Sequence, residues 1–159
     1  MSYLFRSFTC VDSLIDLDEI CSRMITSPET QLFKVFAKKC FMNVESVREY
    51  CLSKKGVTES FPFDETSLVM KVMGKMFALI DLEKANVIAL KCDPERAFNL
   101  REHYAGIEGA YHFNKKYWNS VRFDMDVNDQ LLKELIDHSY EEVIKKFTKK
   151  LRAEYDSIL

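Results

Sequence analysis

The sequence predicts an α+β fold in two layers, an antiparallel four-stranded sheet with helices on one face, in the order α-β-β-β-α-β-α-α. Three observations carry that expectation. The apolar runs Leu68–Val72 and Met76–Ile80 are joined tightly through Gly74-Lys75, a hairpin signal. Asp93-Pro94-Glu95 opens a helix, with Asp as N-cap, Pro at the first helical position and an acid in the first turn. Leu131, Leu132, Leu135 and Ile136, followed by Val143, Ile144, Phe147 and Leu151, form apolar stripes at helical spacing.

Taken in order, residues 1–41 read as an N-terminal extension and residues 42–159 as the domain. In the extension Leu14, Leu17, Ile20, Cys21 and Met24 fall at helical spacing, and Ser27-Pro28 stops or restarts the chain. Two readings of it stand side by side: an artefact of an upstream start, with Met42 as the true first residue, or a genuine helical extension that packs on the domain or a partner. From Asn43, a sound N-cap, Val44, Val47 and Cys51 line one helix face, and Gly56 stands at the expected stop. Phe61-Pro62-Phe63 leads into the hairpin. Asn86–Lys91 is the third strand, the Asp93 helix runs to about Tyr104, and Trp118–Asp124 is the fourth strand. Ser139-Tyr140-Glu141-Glu142 has the form of a capping box and is expected to start the last helix.

Composition bounds the function. A chain of 159 residues holds one domain with a real core; 47% hydrophobic residues with only 4 Gly and 3 Pro describe a folded protein. No apolar run approaches the roughly 20 residues that cross a bilayer. The first residues lack the form of a signal peptide, so a cytoplasmic location is expected. Five cysteines without a CxxC pair argue against a disulfide framework and a thiolate zinc site. Cys51 and Cys92 read as small core residues. His103, His112 and His138 lack the spacing of a helical metal site, so neither metal nor cofactor is expected. There is no phosphate-cradling Gly loop, GxSxG or HExxH. Nothing sets apart the acidities of Asp64-Glu65 or of Asp124 and Asp126. A non-enzymatic protein is the expectation.

The formal net charge is −2, which counts against tight, sequence-independent binding of nucleic acid. Clustering matters more than the sum. Positive charge is concentrated at Lys54-Lys55, at Lys115-Lys116 and along Lys145, Lys146, Lys149, Lys150 and Arg152. The last run reads as the solvated side of a helix, with its cations favoured by a helix C-terminus. The segment Tyr111–Val121 combines the only Trp, a Lys pair and two Asn. Amides and ammonium groups are poor core material, whereas rings beside cations suit a surface that holds a polyanion and a flat group. The same segment also reads as a hairpin edge with Trp118 as a core anchor beneath solvated lysines.

Glu59–Phe63, Val72–Ala78, Leu90–Glu95, Tyr111–Asn119 and Ser139-Tyr140 occur in an order and spacing that resemble the MmcQ/YjbR family of small bacterial proteins. The resemblance spans roughly Met42 to Arg152. It implies a two-layer domain similar to the frataxin/CyaY-like arrangement, with a "double wing" DNA-binding motif. Carried onto this chain, Lys75 belongs to one tip and Lys115, Lys116 and Asn119 to the other. Lys75, Lys91, Lys115, Lys116 and Arg122 are the candidates for phosphate contacts, with Asn119 and Trp118 for base contacts. Iron, which the fold analogy brings with it, would need an acidic helix face; Glu45 and Glu49 are interleaved with Arg48. The expected partner is DNA, bound weakly and salt-sensitively. The alternatives are a protein–protein adaptor or a small-ligand-binding domain that uses the aromatics of Tyr111–Trp118. No membrane role is expected.

Overall fold

The computed structural model describes residues 42–158. Both readings of the 1–41 extension therefore fall outside the described residues. The element order is α1 (Val44–Leu52), β1 (Val57–Ser60), β2 (Ser67–Val72), β3 (Lys75–Asp81), β4 (Val87–Lys91), α2 (Pro94–His103), β5 (Ile107–Gly109), β6 (Trp118–Arg122), α3 (Asp129–Ile144) and α4 (Lys149–Ser157). The strands form one antiparallel sheet in the order β1-β2-β3-β4-β6-β5. The expected α+β class holds, with six strands in place of four. The two unforeseen strands are short edges. β1 (Val-Thr-Glu-Ser) has one strongly apolar residue, and β5 (Ile-Glu-Gly) is three residues after Gly106, too little for a periodic signal.

The caps act as the sequence demands. Asn43 Oδ1 accepts from Ser46 N at 2.8 Å, and Asp93 Oδ1 accepts from Glu95 N at 3.0 Å. Met73 and Gly74 both have positive φ (48° and 75°), the two-residue hairpin geometry that matches strand twist. One face of the sheet, through Leu68, Met70, Ile80, Ile88 and Leu90, packs with the buried residues of α1, α2 and α3 in a single cluster. The opposite face carries a smaller cluster of Ala89, Ala110 and Trp118, with Met76, Leu79, Phe113 and Tyr117 against it.

The C-terminal helices differ from expectation. Ser139 starts nothing: it lies in the middle of α3, fully buried. Asn128 caps that helix, accepting from Leu131 N at 2.8 Å. The break comes later, at Lys145–Phe147, and Thr148 caps α4. Lys149 and Lys150 thus occupy the first turn of a helix, where the dipole disfavours cations, the reverse of the expected arrangement.

Ser139 reaches the sheet instead. Strand β3 has a bulge opposite Met70/Lys71, which turns Phe77 as well as Ala78 toward the core. The Ser139 hydroxyl donates to Phe77 O at 2.5 Å and accepts from Lys91 N at 2.8 Å. At the other end of the sheet Asp126 accepts from Ala105 N and Gly106 N, each at 2.8 Å. A Cβ on Gly106 would stand 2.9 Å from Arg122 O, so only Gly fits there.

Ser139→Ala leaves a buried carbonyl and amide unpaired and is expected to cost about 1–3 kcal/mol in urea unfolding; an unchanged midpoint would refute the role of the hydroxyl. The Gly106 amide, with Ala105 behind it, holds the Asp126 carboxyl below its ordinary acidity range. Its folded value lies below its unfolded one, so its contribution is present above the unfolded value and fades as pH falls through the folded one. The urea midpoint of Asp126→Asn should therefore lie below the parent's at neutral pH, and the two should converge as the solution is acidified.

Candidate nucleic-acid interface

Antiparallel register decides which connections share an end of the sheet. Lys75 pairs with Val72, Lys91 with Trp118, and Gly109 with Asn119. The β2–β3 turn, the end of β4 and residues 110–117 between β5 and β6 therefore lie at one end. The turn and the 110–117 segment are centred three strand spacings apart, about 14 Å. The segment is held by its own backbone: Ala110 N donates to Trp118 O (3.1 Å) and Tyr117 N to Asn114 O (2.9 Å). Cys92 N donates to Tyr117 O (2.8 Å). Arg101, at the last turn of α2, donates to Asn119 Oδ1 at 2.7 Å and also to the Lys115 carbonyl. The Lys115 stem lies over Gly109, where a Cβ would meet its Cγ at 3.2 Å.

The cations at this end are interleaved with rings. The Nζ atoms of Lys116 and Lys146 each lie 5.6 Å from the Tyr117 ring centre. Lys91 Nζ lies 5.9 Å from the Trp118 ring and Lys115 Nζ 5.9 Å from that of Tyr111, all within cation–π range. Among the described residues, none of Lys75, Lys91, Lys115, Lys116 and Lys146 forms an ion pair. Lys145, by contrast, is taken by Glu142 at 2.8 Å. Burial, and after it the charge of Lys146, pushes the Lys91 ammonium below the ordinary lysine range. An anion placed here would relieve that crowding. Acids close the connections at the opposite end, where Asp64 precedes β2, Asp81 closes β3, and Asp124 and Asp126 follow β6, while Asp93 and Glu142 stand near the basic end. A total of −2 thus conceals a local basic patch at one end of the strands.

Of the residues the sequence singled out, Lys75, Lys91, Lys115 and Lys116 are brought to one end. Asn119 is not available there. Its side chain turns to the helix side, is 2% exposed, and is engaged by Arg101 and by Ala97 O (3.4 Å). Trp118 is an anchor, 9% exposed and stacked on Phe113 with ring centres 4.7 Å apart. Its indole is packed into a cluster, not presented as a platform for a base. Arg122 lies four residues along β6, about 13 Å away, and faces Asp124 at 3.7 Å.

Sequence reasoning missed Arg101 and misplaced Lys146. Arg101 reaches partners 14 and 18 residues away, which no local pattern encodes. Lys146 looked like part of a solvated helix face and sits instead in the turn after α3. Among the described residues no cluster of three or more His, Cys, Asp or Glu is placed to hold a metal ion. His138 Nε2 accepts from Asp93 N at 3.2 Å, and burial followed by Arg96 pushes its pKa below the ordinary histidine value. Burial pushes the Cys51 thiol up to about 12 and the Cys92 thiol up to about 11.

Residues 52–142 match the sequence profile of the YjbR family. YjbR of Escherichia coli (strain K12) is 29% identical over 104 residues, covering 65% of this chain and 88% of that protein. YbdF of Escherichia coli O157:H7 is 32% identical over 107 residues, covering 67% and 88%. Among solved structures, the Deinococcus radiodurans protein DR2400, with a DUF419 domain, is 41% identical; the match has a TM-score of 0.67 and covers 73% of this chain and 89% of that one. A Pseudomonas syringae protein is similar at 27% identity and TM-score 0.55, covering 64% and 98%. The profile match spans the sheet, α2 and most of α3, and the chain belongs to the YjbR (MmcQ) family.

Proposed function

We propose that this protein is a non-catalytic, cytoplasmic nucleic-acid-binding protein, and that the basic end of its sheet holds the phosphate backbone. One observation carries the reading: five lysines from four parts of the chain are brought to one end of the sheet with no ion-pair partner among the described residues, while carboxylates close the connections at the other. Lys75 on the β2–β3 turn and Lys115-Lys116 on the 110–117 segment are the two tips of a double wing. Lys91 and Lys146 fill the space between them. The tip separation of about 14 Å is close to the roughly 12 Å width of a major groove. Base contact through Asn119 and Trp118 drops out, because both are packed inside. What remains positions phosphates and reads little sequence, so binding is weak and salt-dependent. Burial weakens the Cys51 and Cys92 thiols as acids, which favours a binding role over cysteine nucleophilicity. No described helix is long and apolar enough to cross a membrane.

Fluorescence anisotropy with a labelled duplex across a salt series tests the proposal. Lys115→Ala/Lys116→Ala should weaken binding for every sequence and flatten the log–log salt slope by about 2 units. Binding by that double variant equal to the parent's would remove this end from contention. Lys146→Ala should flatten the slope by about 1 unit, and Arg122→Ala should leave it unchanged. The reverse ranking would place the contact at the other end.

A further inference from the structure

The sheet face turned away from the helices is hollowed. A cavity of about 540 Å³ lies among Phe63, Leu79, His112 and Phe113, with Asp64, Asp81 and Glu83 at its edge. It continues through a neck of about 180 Å³ beneath Tyr111, over Val87 and Ala89, into a hollow of about 400 Å³ beside Glu108 and Arg122. Leu79, Asp81, Lys84 and Phe113 line the first two, and Lys84, Val87 and Ser120 the last two, so the hollows form one groove. The hollow at Phe63 and Phe113 alone, about 540 Å³, falls in the range of small-molecule sites, roughly 300–1,000 Å³.

The chemistry of the lining selects the ligand. The floor is aliphatic and the walls are rings. Phe63 is 67% exposed and Tyr111 84% exposed, a large apolar area left in water. The rim is negative. Asp64, Asp81, Glu83 and Glu108 face Lys84 and Arg122, and both cations are already committed: Lys84 to Asp81 at 3.4 Å, Arg122 to Asp124 at 3.7 Å. Glu83 and Glu108 form no ion pair among the described residues. The Ser67 hydroxyl donates to Asp64 at 2.9 Å, one of several bonds that favour its charged form. Aromatic faces beside carboxylates attract cations and repel anions.

We propose that this groove binds a small organic cation with a flat apolar body, of the aromatic-amine class. The ring lies against Phe63, Leu79 and Phe113, and the ammonium lies at Glu83, on the edge of the same hollow. The proposal is independent of the nucleic-acid reading, since the groove and the basic end favour opposite charges. It also carries its own reporter, because Phe113 is stacked on Trp118, the single tryptophan of the chain.

Titrating the full chain with phenethylamine, phenylacetate and phenylethanol while following Trp118 emission compares one ring with three charges. Phenethylamine should give a saturable change and bind about tenfold more tightly than phenylacetate, a difference of about 1.4 kcal/mol. Glu83→Gln should bring that ratio near one, and Glu108→Gln, in the neighbouring hollow, should leave it intact. Absence of saturation with phenethylamine, or equal binding of amine and acid, overturns the proposal. A concentration-dependent dimer dissolved by Leu79→Lys would assign the face to a second copy of the chain, and overturns it equally.

Discussion

The Ser139 hydroxyl, set between β3 and β4, is the contact on which the rest of the structure depends. At the β3 bulge the ladder cannot close directly, because Phe77 has turned its ring into the core. The hydroxyl closes it by accepting from Lys91 N and donating to Phe77 O. A side chain on a buried helix thereby supplies a rung of the sheet, and α3 can approach only where a group this small and bifunctional sits. The position of Lys91, the start of the Trp118 pairing and the Cys92–Tyr117 backbone bond all follow from where that rung is placed. Phe77 also meets the Tyr140 ring edge-on at 5.6 Å, so the neighbouring residue of α3 secures the same bulge from the core side.

The separation of charge along the strands has a physical origin in turn chemistry. At the acidic end, connections are closed by carboxylates that accept from backbone amides. Asp64 serves Thr66 and Ser67, Asp81 serves Glu83 and Lys84, and Asp126 serves Ala105 and Gly106. Those acids are required there by loops that need acceptors. At the opposite end the hairpin turn is closed by two residues of positive φ, and the 110–117 segment by backbone bonds, by Asn114 and by Arg101. Neither connection is closed by a carboxylate, and among the described residues their lysines form no ion pair. Net charge averages over this polarity and conceals it.

The 110–117 segment divides two environments. Lys115 and Lys116 belong to the basic end, while Tyr111, His112 and Phe113 line the groove on the open face. Trp118 lies at the junction, with Phe113 stacked on its ring and Lys91 beside it. Packing of this kind explains why a segment rich in rings, amides and cations is neither wholly core nor wholly surface. Each residue type is sorted to the side that satisfies it.

The sequence by itself determined the elements whose signals are local. The Asn43 and Asp93 caps, the tight hairpin (read at Gly74-Lys75 and found one residue earlier, at Met73-Gly74) and the apolar stripes of β2, β3, β4 and α3 each depend on neighbours within a few residues. Membership of the YjbR family was equally legible, since its motifs are contiguous strings. Tertiary structure decided whatever depends on distant partners. Ser139 fits a capping box as a string, yet its hydroxyl is bound 48 and 62 residues away. Asn119 looks like a surface amide until Arg101, 18 residues earlier, is folded onto it. The edge strands β1 and β5 exist because a neighbour offers them hydrogen bonds, not because their own residues demand a strand. The grouping of Lys75, Lys91, Lys115, Lys116 and Lys146 is likewise a product of antiparallel register, which brings together chain positions that periodicity cannot relate.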